Sequence, residues 1–348
     1  MEEKYGLDQL NRRVLQEGLC AACGACLSGC PYLTCFRGKT VMLDRCAIEQ
    51  GRCFAYCPMT FFDREAVSLS VFGYAAADER IGHFLEVAAS RATDSTIAAA
   101  GQGGGTVTAL LVSALQEGVI DAAVLTADRQ NEGFPGGLVA ATADEVVACA
   151  GSKYVGAHSL AALRIALDRG YERIGIVGLP CQVRSARKMI MYDLKRENLG
   201  ERIRLVVGLF CNWAFSGREF AAFLSGRYQF DQVGRIHVPP PPAQVLEIET
   251  DGGVKTVPLD EVRPLIQPAC NQCSDMTSDF ADLSVGMYEG REGWNTLIVR
   301  TRVGMDLFRK AVEIGYLETE SFPETNLAHL KNAAANKRRR AAEKRPAE

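Results

Sequence analysis

Two stretches near the start of the chain carry the residues best suited to chemistry. LCAACGACLSGCP (residues 19–31) spaces four cysteines as C-x2-C-x2-C-x3-C-P. CAIEQGRCFAYCP (46–58) keeps the last two cysteines and the proline of that run but has Gln50 where a third cysteine would fall. Three thiolates at this spacing wrap one face of an iron–sulfur cubane, and the fourth reaches a second cluster. On that logic Cys20, Cys23 and Cys26 hold one 4Fe-4S cluster, with Cys57 returning to it from the second run. Cys30 and Cys53 go to a second cluster, with Cys46 as its displaced third ligand and Cys35 as the nearby candidate for its fourth. Zinc is the chemical alternative for any CxxC pair. For Cys35 the alternative is an ordinary thiol that binds no metal.

Four more cysteines follow a different pattern. Cys181 in GLPCQ and Cys211 in GLFCN each follow an apolar run, and CNQC places Cys270 and Cys273 before DLSVGM. Open α/β sheets collect ligands beyond the carboxyl ends of their strands. The four thiols could converge there on a third site, or each could be a small core residue. Cys149 has no partner in the pattern and reads as core. GQGGGTVTALLVSAL (101–115) puts four glycines directly before an amphipathic helix. Glycine amides and a helix N-terminus together receive a phosphate or pyrophosphate, although a flexible loop would have the same composition. GSKY (151–154) offers a lysine and hydroxyls after a strand.

Composition narrows the function. The 348 residues carry a net charge of −3, 47% hydrophobic and 23% charged residues, which suits about two soluble domains and gives no reason to expect nucleic acid. MEEKYGLDQL does not read as a secretory signal, and no apolar run approaches the roughly 18 residues a membrane span needs. A cytoplasmic protein without membrane insertion is expected, in which 13 cysteines serve as ligands rather than disulfides. The four histidines (His83, His158, His237, His329) are scattered, against imidazole-bound mononuclear iron or copper. The sequence offers no acid–base dyad, nucleophile with a local base or HExxH site, so hydrolase and protease chemistry is not expected.

The elements that must position these residues change character along the chain. Residues 1–65 hold eight cysteines and little apolar sequence, so ligation would supply much of their fold; they are read as a ferredoxin-like iron–sulfur domain. Beyond residue 75 apolar strands (IDAAVLTA, RIGIVGL, IRLVVGLF) alternate with helical patterns (VTALLVSALQEG, LAALRIALDRG, QVRSARKMIMYDL). That alternation predicts an α/β domain over 75–330 with a mixed, largely parallel sheet. QVLEIET and VKTVPL flank Asp251-Gly252-Gly253 as a hairpin. From Lys331 to the end, seven basic and two acidic residues read as a solvated, frayed helix or flexible tail, with docking to an acidic partner or RNA as the alternative.

Taken in order, the cysteine runs at 20–57, GQGGGTVTALL, GSKYVGAHSLAAL, IVGLPCQVRSARK, VGLFCNWAFS, CNQCSDMTSDFADLSVG and GWNTLIVRT resemble the beta subunits of coenzyme F420 hydrogenases and dehydrogenases. The resemblance covers residues 15–317. It implies an iron–sulfur flavoprotein with FAD and two or three 4Fe-4S clusters, exchanging hydride with coenzyme F420 or another two-electron carrier. It makes Cys181, Cys211, Cys270 and Cys273 ligands of a flavin-proximal cluster. Gly103, Gly104, Gly105, Thr106 and Thr108 become candidates for the FAD phosphates, and Gly151, Ser152, Lys153 and Tyr154 approach the cofactor, with Lys153 beside the reduced flavin as the catalytic candidate. Gly103 stands where the family commonly has serine, so a backbone amide would replace a hydroxyl contact there. The implied partner is a hydrogenase, a formate dehydrogenase or a heterodisulfide-reductase-like subunit. A flavin-free electron-wiring subunit and a zinc-bound assembly module are the rival readings.

Overall fold

The computed structural model describes residues 5–74, 78–128, 134–228, 233–240 and 242–344. Near the start, β1 (Leu33–Phe36) and β2 (Lys39–Met42) form a hairpin among short turns that carry the cysteine runs. The body is built on eight strands: β3 (Glu86–Ala92), β4 (Ala122–Ala127), β5 (Gly136–Ala140), β6 (Ile174–Gly178), β7 (Ile203–Leu209), β11 (Leu283–Met287), β12 (Asn295–Val299) and β13 (Leu317–Ser321). Their order across the sheet is β13-β3-β12-β11-β7-β6-β4-β5.

Only the centre of this sheet is parallel. The pairs β11–β7, β7–β6 and β6–β4 are parallel, while β12, β3, β13 and β5 join antiparallel. The expectation of a largely parallel sheet is corrected accordingly. The legible strands are the doubly buried ones, such as β6 with every residue buried, because strands covered on both faces read as continuous apolar runs. One face is covered by the helices Thr106–Gln116 and Arg302–Glu313, the other by Ala162–Asp168 and Pro180–Tyr192. A second sheet, β8 (Val233–His237), β9 (Val245–Thr250) and β10 (Gly253–Pro258), includes the expected hairpin and packs on its own core around Phe215, Phe220 and Leu246.

The cysteine-rich segment is not a separate bead. Cys23, Ala25 and Tyr56 belong to the same core as β6 and the helix Pro180–Tyr192. Lys188, on that helix, donates to the carbonyls of Cys57 (2.6 Å) and Phe61 (2.9 Å). Gly24 sits at φ +86°, and a Cβ there would lie 2.6 Å from the His158 carbonyl oxygen, so only glycine lets the two backbones approach.

The basic stretch after Lys331 is helical, with one face buried instead of solvated. It continues a helix, Glu324–Lys344, that is laid against the body through buried Ala334, Lys337 and Ala341. Lys331 pairs with Asp78 at 2.8 Å and Arg338 with the buried Asp279. Among the described residues no helix is long and apolar enough to cross a membrane.

Candidate functional site

The structure sorts the cysteines into three groups. Cys20, Cys23, Cys26 and Cys57 line one small cavity, closed by Leu10, Val14, Leu15 and Pro58. Two distant runs thus meet around one space, with the fourth thiol arriving from the second run. Burial pushes the Cys57 thiol up to about 12, reinforced by the neighbouring Cys23. Cys26 is raised well above the ordinary range by burial and by Cys23, Cys20, Cys57 and Cys53 together.

The second group adjoins the first. Burial, with charge at Cys30 and at Cys46, raises Cys53 to about 11, so the three thiols are neighbours. Cys35 is exposed, and its Sγ is 3.4 Å from His158 Nδ1, whose Nε2 meets Thr40 Oγ1 at 2.9 Å. Replacing Cys35 by serine is expected to leave bound iron unchanged after anaerobic reconstitution, measured as iron per chain.

The third group is assembled from three segments. Cys181 opens the helix Pro180–Tyr192 after β6, and Cys211 follows β7. Cys270 lies within a 3-10 turn, Pro268–Gln272, and Cys273 directly follows it. Cys181 is pushed well up by burial and then by Cys23, Cys273, Cys211 and Cys270; Cys211 reaches about 12 through burial first. The Ala214 amide donates to Cys270 Sγ at 3.4 Å. Charge at Cys23 also raises Cys181 of the third group, and charge at Cys53 of the second raises Cys26, so the first group adjoins both of the others. Cys149 lies half-buried against the main core, apart from all three.

The glycine-rich loop and the GSKY turn also meet. The Ser152 amide donates to Gln102 Oε1 at 3.3 Å, and Gln102 Nε2 contacts His237 Nδ1 at 2.8 Å. Gly105 caps the helix Thr106–Gln116 at φ +73°, where a Cβ would lie 2.7 Å from the Ile97 carbonyl oxygen. Thr106 and Thr108 are buried; the Thr106 hydroxyl meets Ser90 at 3.0 Å and its amide donates to Asn295 Oδ1 at 3.3 Å. Gly103 and Gly104 pack against Asn295 and Arg91. Lys153 pairs with Asp128 at 2.7 Å, and Tyr154, at φ +55°, accepts from the Val238 amide at 3.2 Å. The Tyr154 carbonyl in turn accepts from Phe215, next to the Ala214 amide that serves Cys270.

Sequence reasoning missed His158, Ser185, Gln102 and Asn295. Ser185 Oγ donates to Cys23 Sγ at 3.4 Å. All four fall inside the quoted stretches GSKYVGAHSLAAL, IVGLPCQVRSARK, GQGGGTVTALL and GWNTLIVRT, but no spacing within those stretches singles them out. Among the described residues no three Cys, His, Asp or Glu side chains converge closely enough to hold a single ion.

Eleven thiols in three adjoining groups, two of them delivered by the ends of β6 and β7 of a mixed α/β sheet, point to the class: an oxidoreductase subunit that moves electrons. Residues 87–164 match the N-terminal domain, and residues 171–325 the C-terminal domain, described as coenzyme F420 hydrogenase/dehydrogenase, beta subunit. The chain belongs to that family. It is 32% identical over 266 residues to the coenzyme F420 hydrogenase subunit beta of Methanothermobacter thermautotrophicus, covering 75% of this chain and 94% of the relative. It is 29% identical to a subunit of the F(420)H(2) dehydrogenase of Methanosarcina mazei, covering 86% and 85%. The coenzyme F420-dependent sulfite reductase of Methanocaldococcus jannaschii is 28% identical, with 93% of this chain covering 52% of that protein. A chain of the F420-reducing [NiFe] hydrogenase complex from Methanosarcina barkeri superposes with a TM-score of 0.72 at 28% identity, covering 77% of this chain and 93% of the other. The cysteine runs at 20–57 precede both matched domains.

Proposed function

We propose that this chain is an iron–sulfur flavoprotein subunit that connects a hydride carrier, coenzyme F420 in the first instance, to a partner oxidoreductase. The observation that carries the reading is the continuous order from the GSKY turn, through the third and first thiol groups, to the second. FAD supplies exchange between hydride and single electrons, and 4Fe-4S clusters supply one-electron storage.

The donor sets fit these groups. Buried thiols that raise one another's pKa cannot all ionise in an apolar cavity unless cations offset them, and iron bound to thiolate supplies that countercharge. Cys20, Cys23, Cys26 and Cys57 would hold one cluster, and Cys181, Cys211, Cys270 and Cys273 another. Cys30, Cys46 and Cys53 supply three ligands of a third. Thiols spread around a cavity suit a polynuclear cluster better than a zinc ion.

Toward the flavin, the amides of the helix Thr106–Gln116 and of Gly103 to Gly105 would receive phosphates, since this helix start has no side-chain cap of its own. Lys153 is half-buried and ion-paired with Asp128, which fixes its side chain beside the GSKY turn. Tyr154, fixed by Val238, orients that turn, and apolar walls keep water from the thiol groups. A hydrogenase-type subunit is the partner best supported by the relatives; formate dehydrogenase and heterodisulfide-reductase-like subunits use the same chemistry.

Reduced F420 added to anaerobically reconstituted protein is expected to bleach the visible absorbance. Absence of FAD with no bleaching by F420, nicotinamide or ferredoxin would favour the flavin-free rival. Gly105→Ala imposes a left-handed backbone that costs an alanine about 1–2 kcal/mol. It is expected to lower FAD per chain while iron per chain stays constant.

A further inference from the structure

The helix Glu324–Lys344 begins at the edge of the matched C-terminal domain, which ends at residue 325, yet it delivers a side chain to the third thiol group. Lys337 is 3% exposed. Its Nζ donates to the Cys211 carbonyl at 2.7 Å and to the Asp275 carbonyl at 2.8 Å. The same Asp275 carbonyl lies 3.5 Å from Cys273 Sγ. One ammonium thus bridges the strand-end segment and the CNQC segment behind the third thiol group.

A lysine is almost never this buried unless its charge is matched. Here its Nζ is fixed between the Cys211 and Asp275 carbonyls, directly behind the third thiol group. The neighbouring cation, Arg338, is neutralised by Asp279, a carboxylate that Arg64 also binds. Two carbonyls accept from Lys337 and carry no formal charge, so its unit charge remains uncompensated except by the thiols and Asp275.

We infer that Lys337 is a positioning and charge-setting residue for the third thiol group, holding Cys211 and the CNQC segment in register and favouring the reduced state of the cluster bound there. The inference rests on the proposed cluster at Cys181, Cys211, Cys270 and Cys273. Reduction adds one electron and one negative charge, with no bond made or broken, and the electron comes from the reduced flavin. A fixed positive charge a few ångströms away opposes that added charge in a medium of low effective dielectric. The C-terminal helix therefore sets how readily the flavin-side cluster accepts electrons. It could do so only when docked.

The test is a redox titration of the full-length, anaerobically reconstituted protein, followed by EPR. The signal belonging to the third group is identified as the one lost in Cys211→Ser. Lys337→Gln removes the charge and keeps an amide donor; Lys337→Arg keeps the charge. Lys337→Gln is expected to lower the one-electron reduction equilibrium of that cluster alone by about tenfold, which is about 59 mV, with Lys337→Arg close to the parent. Loss of this cluster's iron in the Gln variant but not in the Arg variant also supports a requirement for charge. An unchanged potential in Lys337→Gln overturns the inference, as does equal loss of iron in both variants, which would mark packing alone. A parent protein lacking the third cluster would instead refute the underlying proposal, and iron counting separates the two failures.

Discussion

Replacing Cys57 by serine is expected to remove about four irons per chain, the content of one cubane with four thiolate ligands. Cys57 is the single member of the first cavity that arrives from the second run, and it is buried against Cys20, Cys23 and Cys26. Cys53, the neighbouring thiol from the same run, is assigned with Cys30 and Cys46 to the second group. The first group stands between the other two, through Cys23 to Cys181 on one side and Cys26 to Cys53 on the other. Emptying it should therefore break the electron path while leaving both ends intact. FAD content and bleaching of the third group by the hydride carrier should persist, and electron delivery to the partner should fall to background. Iron analysis and turnover with the partner check the two halves separately. Full iron in the Cys57→Ser protein would contradict the assignment.

The second large effect is on stability. Arg300 is fully buried at the end of β12 and makes four hydrogen bonds. Nε donates to Ser284 Oγ at 2.7 Å, and Nη1 to the carbonyls of Ile81 (2.8 Å) and His83 (2.7 Å). Nη2 donates to the Thr277 carbonyl at 2.8 Å. Asp279 and Asp275 provide the opposing charge. Arg300→Leu would strand these acceptors and leave buried carboxylates short of a cation, which costs about 3–5 kcal/mol. Thermal unfolding should shift down by about 10 °C, and the same change at the exposed Arg309 should do almost nothing. Because Arg300 braces the loop between Thr277 and Ser284, just after CNQC, the destabilised protein should also release third-group iron first. Equal melting temperatures for the Arg300 and Arg309 variants would refute this account of the loop.

How much of this was legible follows from where the signal lies. The central strands β4, β6 and β7 are short apolar runs because both faces are covered, so they announce themselves. β3 (EVAASRA) and β13 (LETES) do not: one is alanine-rich, the other charged. Their strand character comes from pairing with residues far away, Ala88 with Leu297 and Ala89 with Glu320. These two antiparallel strands were therefore invisible locally, whereas β12, inside NTLIVRT, reads as a strand from its own apolar run.

The site divides in the same way. The N-terminal runs have local spacing, so the first group could be written down from sequence, including the return of Cys57. The third group draws on residues as far apart as Cys181 and Cys273, and needed resemblance to a family. Cys35 is near the other ligands in sequence, yet the β1–β2 hairpin turns it toward His158. The C-terminal helix hid behind its own charge. Ala334, Lys337 and Ala341 fall at helical spacing on one face and are all buried, but a lysine within KRRR reads as solvated. Two small residues flanking it at i−3 and i+4 were the available clue.

The central claim is that these thiols hold clusters beside a flavin. The most direct measurement is the content of iron, acid-labile sulfide and FAD on one anaerobically reconstituted sample of the full chain. Three clusters predict about twelve irons, as many sulfides and one FAD. Zinc in place of iron, with neither sulfide nor flavin, would contradict the account.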